Sequence, residues 1–165
     1  MELTSLTRNL TVPQGFAMPA RLAYQDIRVH VLGRGDLEDD VRAINGNLDL
    51  IRRTRGGEWP SGPVTAEFDY IDLVWHECEF REGFSFSYAV YHQDGPYLGC
   101  LYLYPMGRRT ALTEERLQHD VDVSWWVTSE FYDGGYYAKL YDAARTWLDA
   151  DWPFTTPFFS NAEIP

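Results

Sequence analysis

A chain of 165 residues that is 45% hydrophobic and 16% aromatic can fill the core of one domain and needs no second. Its formal net charge of −11 argues against nucleic acid and anionic membrane as partners, since both are held through basic surface. The opening MELTSLTRNLTVPQGFAMPARL has neither a basic start nor an apolar run, so it does not read as a signal peptide, and no segment approaches the ~20 apolar residues of a membrane span.

Residues 1–25 read as an N-terminal arm and 26–165 as a single domain. Asp26 to Leu32 alternate as a first strand, and Gly35-Asp36 opens a helical region that runs to about Arg53 with an interruption at Asn45-Gly46-Asn47. Gly56 to Pro63 is a loop. Thr65 to Glu82 predicts a helix with Phe68, Ile71, Trp75 and Cys78 as its apolar stripe, while Glu67, Asp69, Asp72, Glu79 and Glu82 read as a solvated acidic face. Phe84, Phe86, Tyr88 and Val90 alternate with small residues as a strand, His92 to Pro96 turns, and Tyr97 to Tyr104 returns as its hairpin partner. Thr110 to His119 is a connection. Cys78 and Cys100 lack metal-ligand spacing and, without an export signal, read as reduced, buried thiols of a cytoplasmic protein. His30, His76, His92 and His119 are scattered and suggest no zinc site; His76 reads as a surface or packing residue.

The stretch from Asp120 to Leu148 carries the most information. Val121, Val123, Trp125 and Val127 alternate with Asp122, Ser124 and Trp126, the period of a strand whose two faces meet different surroundings. After Gly134-Gly135 the period changes: Tyr136, Tyr137, Leu140, Tyr141, Ala144, Trp147 and Leu148 recur at helical spacing. Such a junction offers unpaired N–H groups and the positive end of a helix dipole to an anion. Asp133, just before the glycines, is expected to cap the helix. A pyrophosphate within ~6 Å of its carboxylate would be repelled by ~0.7 kcal/mol in water or ~3 at an effective dielectric of 20.

The run VTSEFYDGGYYAKL, Val127 to Leu140, resembles the acyl-CoA-binding turn of the GNAT (Gcn5-related N-acetyltransferase) superfamily, without a gap. Val127 takes the strand-end position and Gly135 the middle glycine. Tyr132, Asp133 and Tyr137 depart from the arginine or glutamine, the glycine, and the glycine or alanine usual at those positions. The resemblance covers roughly residues 26 to 161 and implies an α+β fold, a mixed and mostly antiparallel sheet layered between helices. It further implies acetyl-CoA as cosubstrate, with Val127, Gly134, Gly135, Tyr136, Tyr137 and Asn161 as its contacts and Asp122 as general base. Asp122 stands five residues before Val127, where many members carry a glutamate.

The implied chemistry is direct attack of a primary amine on the thioester, which needs a base and donors for the developing oxyanion. A degenerate GNAT-like scaffold acting as a non-catalytic binding module is the alternative. The acidic chain suits a cationic amine, on a small molecule or a peptide. Phe154 to Phe159 predicts a last strand whose exposed rings and open edge imply a homodimer.

Overall fold

The computed structural model describes residues 8–165. Six strands form one sheet in the order β1-β2-β3-β4-β5-β6: β1 (Arg21–Tyr24), β2 (Ile27–Val31), β3 (Phe86–His92), β4 (Tyr97–Tyr104), β5 (Val121–Val127) and β6 (Pro157–Phe159). The first five pair antiparallel, and β6 joins β5 in parallel. Helices α1 (Leu37–Gly46), α2 (Leu48–Arg55) and α3 (Ala66–Glu82) lie between β2 and β3 in sequence, and α4 (Ser129–Asp133) and α5 (Tyr136–Asp151) between β5 and β6. The α+β architecture is the expected one. Among the described residues no helix is long and apolar enough to cross a membrane.

Each sheet face has its own core. The odd residues of β5 join Phe86, Tyr88, Leu101 and Leu103 against the buried side of α5, which is Tyr137, Leu140, Ala144, Trp147 and Leu148. The even side carries Trp126, Cys100 and Tyr102 against Ala43, Ile44, Ile51 and Leu73 from α1, α2 and α3. The period-two and period-3.6 readings of this region therefore hold, because both patterns are driven by burial.

Four expectations change. The sheet begins at Arg21, before the boundary placed at residue 26. Residues 8–20 are also less of an arm than a packed segment: Leu10 is buried, its N–H donates to the Phe84 carbonyl at 2.8 Å, and Pro19 O accepts from Tyr88 at 2.6 Å. β6 is shorter than predicted, and Phe154 lies buried against Trp152 while Phe159 packs edge-on to Tyr141, so the aromatic edge expected at the C-terminal strand is half covered.

The third change concerns α3, which presents Phe68, Ile71 and Trp75 to solvent at 60–64% exposure and turns Asp69, Leu73 and His76 inward. The reason lies in the opposing sheet. Ser85 and Ser87 are buried there and take polar partners: Ser87 Oγ pairs with His76 Nδ1 at 2.9 Å, and Ser85 donates to Glu79. A helix over such a surface hides its polar side. Finally, Asp133 does not cap α5. It ends α4, exposed, and Gly135 takes the N-cap position at φ +83° with no side-chain cap.

Candidate active site

The strand-to-helix junction begins where β5 ends at Val127. Thr128 N–H donates back to Leu98 O at 2.8 Å, α4 makes a single turn, and the left-handed Gly135 redirects the chain into α5. Gly135 is a position only glycine fills without strain. A cavity of about 320 Å³ opens beside it, lined by Tyr132, Gly135, Tyr137, Ala138 and residues 163–165. No side chain caps α5, whose first turn borders this space through Gly135, Tyr137 and Ala138. One carboxylate stands near: Glu163 accepts from Tyr132 Oη and Arg53 Nε, both at 3.0 Å.

Tyr137 and Asn161 are turned to a different use. The Asn161 side chain bridges β5, accepting from Trp125 N–H at 3.1 Å and donating to Trp125 O at 2.9 Å and Tyr137 Oη at 2.7 Å. Tyr137 is buried and donates to Thr54 O at 3.2 Å and to Glu163 O. Burial is the main reason its hydroxyl is pushed up to about 12. Asn161 thus continues, through a side chain, the pairing that β6 makes with β5 only as far as Val123.

On the opposite face of β5, Asp122 is fully buried between Tyr104 and Phe158 of the neighbouring strands. The Ser160 hydroxyl donates to its Oδ1 and Thr110 Oγ1 to its Oδ2 at 3.4 Å. Burial lifts this carboxyl above the ordinary range, against the pull of the Ser160 hydrogen bond and the Arg109 and Arg55 charges. Next to it Ser124 Oγ accepts from Arg55 Nε at 3.2 Å. Arg55 also lines a separate pocket of about 260 Å³, together with Trp59, Asp72, His76, Tyr102, Arg108 and Arg109.

No protein-family model and no curated protein matches this sequence. Solved structures do. A ribosomal-protein-S5-alanine acetyltransferase from Vibrio fischeri superposes with a TM-score of 0.58 at 11% identity, over 79% of this chain and 67% of that one. A ribosomal L7/L12 α-N-protein acetyltransferase in complex with coenzyme A gives 0.59 at 12%, over 81% and 68%. A GNAT-family acetyltransferase from Bacillus anthracis gives 0.54 at 12%, over 78% and 65%.

The fold is that of the GNAT acetyltransferases. Within it, Val127 ends β5, and Gly134, Gly135, Tyr136 and Tyr137 follow across α4 at the start of α5. Asn161 is 7% exposed and its side chain is spent on Trp125 and Tyr137, so it is not displayed to the cavity at Gly135. Asp122 lies on the other face from Tyr137, with the sheet between them.

Sequence reasoning missed the arginines; His76 is the packing residue expected, set against the Tyr102 ring. His76 lines the pocket between Ser87 and Asp72, whose Oδ2 is 3.2 Å from Nε2. The available signals were the basic end of α2, Arg52 to Arg55, and the Arg108-Arg109 pair just after an aromatic strand. Nothing in their spacing brings them together; the helix end and the β4–β5 connection do.

Proposed function

We propose that the protein is an acyl-CoA-dependent N-acyltransferase that moves an acetyl group to a primary amine by direct attack. The observation that carries this reading is the uncapped, left-handed Gly135 start of α5 at the end of β5, in a fold shared with an acetyltransferase that holds coenzyme A. The residues present fit the anionic end of the cosubstrate at the start of α5: the amides of Tyr136 and Tyr137 receive the pyrophosphate, while those of Gly134 and Gly135 already donate to Tyr132 O and Arg53 is paired with Glu163. Acetyl-CoA, when bound, supplies a thioester activated toward amines.

Asp122 is the proton acceptor in this scheme. It is buried, so the proton reaches it through the Ser160 or Thr110 hydroxyl, and a carboxyl lifted by burial is a better base than a solvated one. Asn161 positions Trp125 and Tyr137 instead of touching ligand. The acceptor is an amine on a small molecule or a peptide, and association through the open β6 edge remains part of the reading, tested by light scattering.

One observation favours a second reading, a GNAT-like module that binds without catalysis. The Glu163 carboxylate and the inward-locked Tyr137 stand where a cosubstrate would approach α5. Calorimetric titration with acetyl-CoA separates the two. Heat with a defined stoichiometry, followed by thiol release in the presence of amines, supports the enzyme; absence of heat at millimolar acetyl-CoA selects the module.

A further inference from the structure

The pocket that Arg55 lines beside Ser124 gathers three arginines, Arg55, Arg108 and Arg109, in a chain whose net charge is −11. Arg55 is 6% exposed, and its guanidinium lies 4.2 Å from the centre of the Tyr102 ring and 5.3 Å from that of Trp59. Among the described residues only its Nε is hydrogen-bonded, to Ser124. Arg109 spends one Nη on the Arg55 and Gly56 carbonyls. Arg108 is different, because Glu79 pairs with it at 2.7 Å and cancels its charge. Asp72 also lines the pocket, half-exposed, with its Oδ2 3.2 Å from His76 Nε2.

Among the described residues neither Arg55 nor Arg109 makes an ion pair, and Asp122 is the one buried carboxylate close to both. The buried Arg55 and the half-buried Arg109 stand against two carboxylates, Asp122 and the half-exposed Asp72, and keep N–H donors that no group among the described residues accepts from. Burying unpaired like charges is costly. The strain shows on Arg109, held down to about 10 first by burial and then by Arg55. The Arg55 guanidinium, fixed by the Tyr102 and Trp59 rings, and Arg109, held by the Arg55 and Gly56 carbonyls, present preorganised donors for a planar oxyanion.

We propose that this pocket binds an oxyanion, a carboxylate or phosphate group carried by the acceptor, with Arg55 and Arg109 as its ligands and Trp59 covering it. The proposal rests on the acyltransfer reading only in calling the ligand an acceptor. At about 260 Å³ the cavity has room for a group the size of an amino acid. The preference for a cationic amine expected from the net charge then applies to the surface and not to this site: the acceptor carries an amine at one end and an anion at the other.

The test uses the whole protein without acyl-CoA. Binding of 4-aminobutyrate, its uncharged carboxamide and inorganic phosphate is followed by calorimetry and by the Trp59 indole resonance. The expected result is that 4-aminobutyrate or phosphate binds at least tenfold tighter than the carboxamide, and that Arg55→Met abolishes the difference. Preference for the carboxylate assigns an amino-acid-like acceptor, and preference for phosphate a phosphorylated one; both support the site. Equal binding of carboxylate and carboxamide, no binding of either anion at 10 mM (about the weakest binding worth the name), or full retention by a folded Arg55→Met overturns it. Should Arg55→Met not fold, the carboxylate-to-carboxamide ratio and the Trp59 shift in the unmodified protein decide alone. Anion binding without acetyl transfer sinks the function and keeps the pocket; acetyl transfer with no anion preference does the reverse.

Discussion

Asp69 offers the sharpest thermodynamic test of how α3 is seated. It is 2% exposed on the inward face of the helix, and its Oδ2 meets no donor. Asp40 of α1, 4% exposed, lies beside it and accepts from Tyr97 and Cys100. Burial, followed by the Asp40 and Asp72 charges, pushes the Asp69 carboxyl up to about 7 from 3.8. A protonated Asp69 donates to Asp40, which gives the pair a shared proton. The change from 3.8 to about 7 corresponds to ~4 kcal/mol of preference for the neutral form, and sharing between two acids makes ~2–4 a fair range. The sign follows from proton counting. The folded state keeps a proton that the unfolded chain releases, so this stability is complete below about pH 4 and drains away as pH rises toward 7. Asp69→Asn keeps the shape, cannot ionise, and still offers an N–H to Asp40. Denaturant unfolding of both proteins at pH 4 and pH 8 should show the wild type losing ~2–4 kcal/mol relative to the variant. A difference between the two that is the same at both ends of that range refutes the buried acid pair and with it the inward placement of this face.

Other outcomes follow from the site and the sheet. Asp122→Asn should lower acetyl transfer by ~10²-fold or more while leaving acetyl-CoA affinity unchanged in calorimetry, and an unaltered rate removes Asp122 from the mechanism. Asp133→Gly should tighten acetyl-CoA binding, since the exposed carboxylate caps nothing and only repels an anion at the turn; weaker binding in the same titration contradicts the pyrophosphate placement. Gly99→Ala would set a Cβ 1.9 Å from the Trp126 carbonyl oxygen and 2.9 Å from Val127 Cα, both backbone. Overpacking of that kind should cost ~3 kcal/mol and lower Tm by ~6–12 °C in a thermal melt; an unchanged Tm would mean β4 and β5 are not paired in this register.

What the sequence disclosed was whatever burial wrote into a period. β5 and α5 were legible because two faces of a strand and one face of a helix meet apolar surroundings, and the glycine pair between them fixed the bend. The orientation of α3 was not, since a stripe of Phe68, Ile71 and Trp75 identifies a face without naming what opposes it. Here Ser85 and Ser87 had already made that sheet surface polar. Asp133 misled for a local reason: its side chain suits an N-cap, but the left-handed Gly135 starts α5 two residues later. The arginine pocket was hidden because Arg55 and Arg109 are far apart in sequence and meet only when the end of α2 reaches the β4–β5 connection. Candidate cosubstrate residues fared unevenly, the glycines lying open at the turn and Asn161 folded into the strand pairing.

The outward turn of α3 also gives the molecule an optical signature. Trp125, Trp126, Trp147 and Trp152 are buried, Trp59 is half-buried, and Trp75 is 62% exposed. A neutral quencher such as acrylamide should therefore take most of its effect from Trp75, and a red-shifted component of the emission should disappear with it. In a Trp75→Phe protein the most accessible indole left is Trp59, which stands over the Arg55 guanidinium. The remaining quenchable fluorescence then reads the occupancy of that pocket directly, with no label.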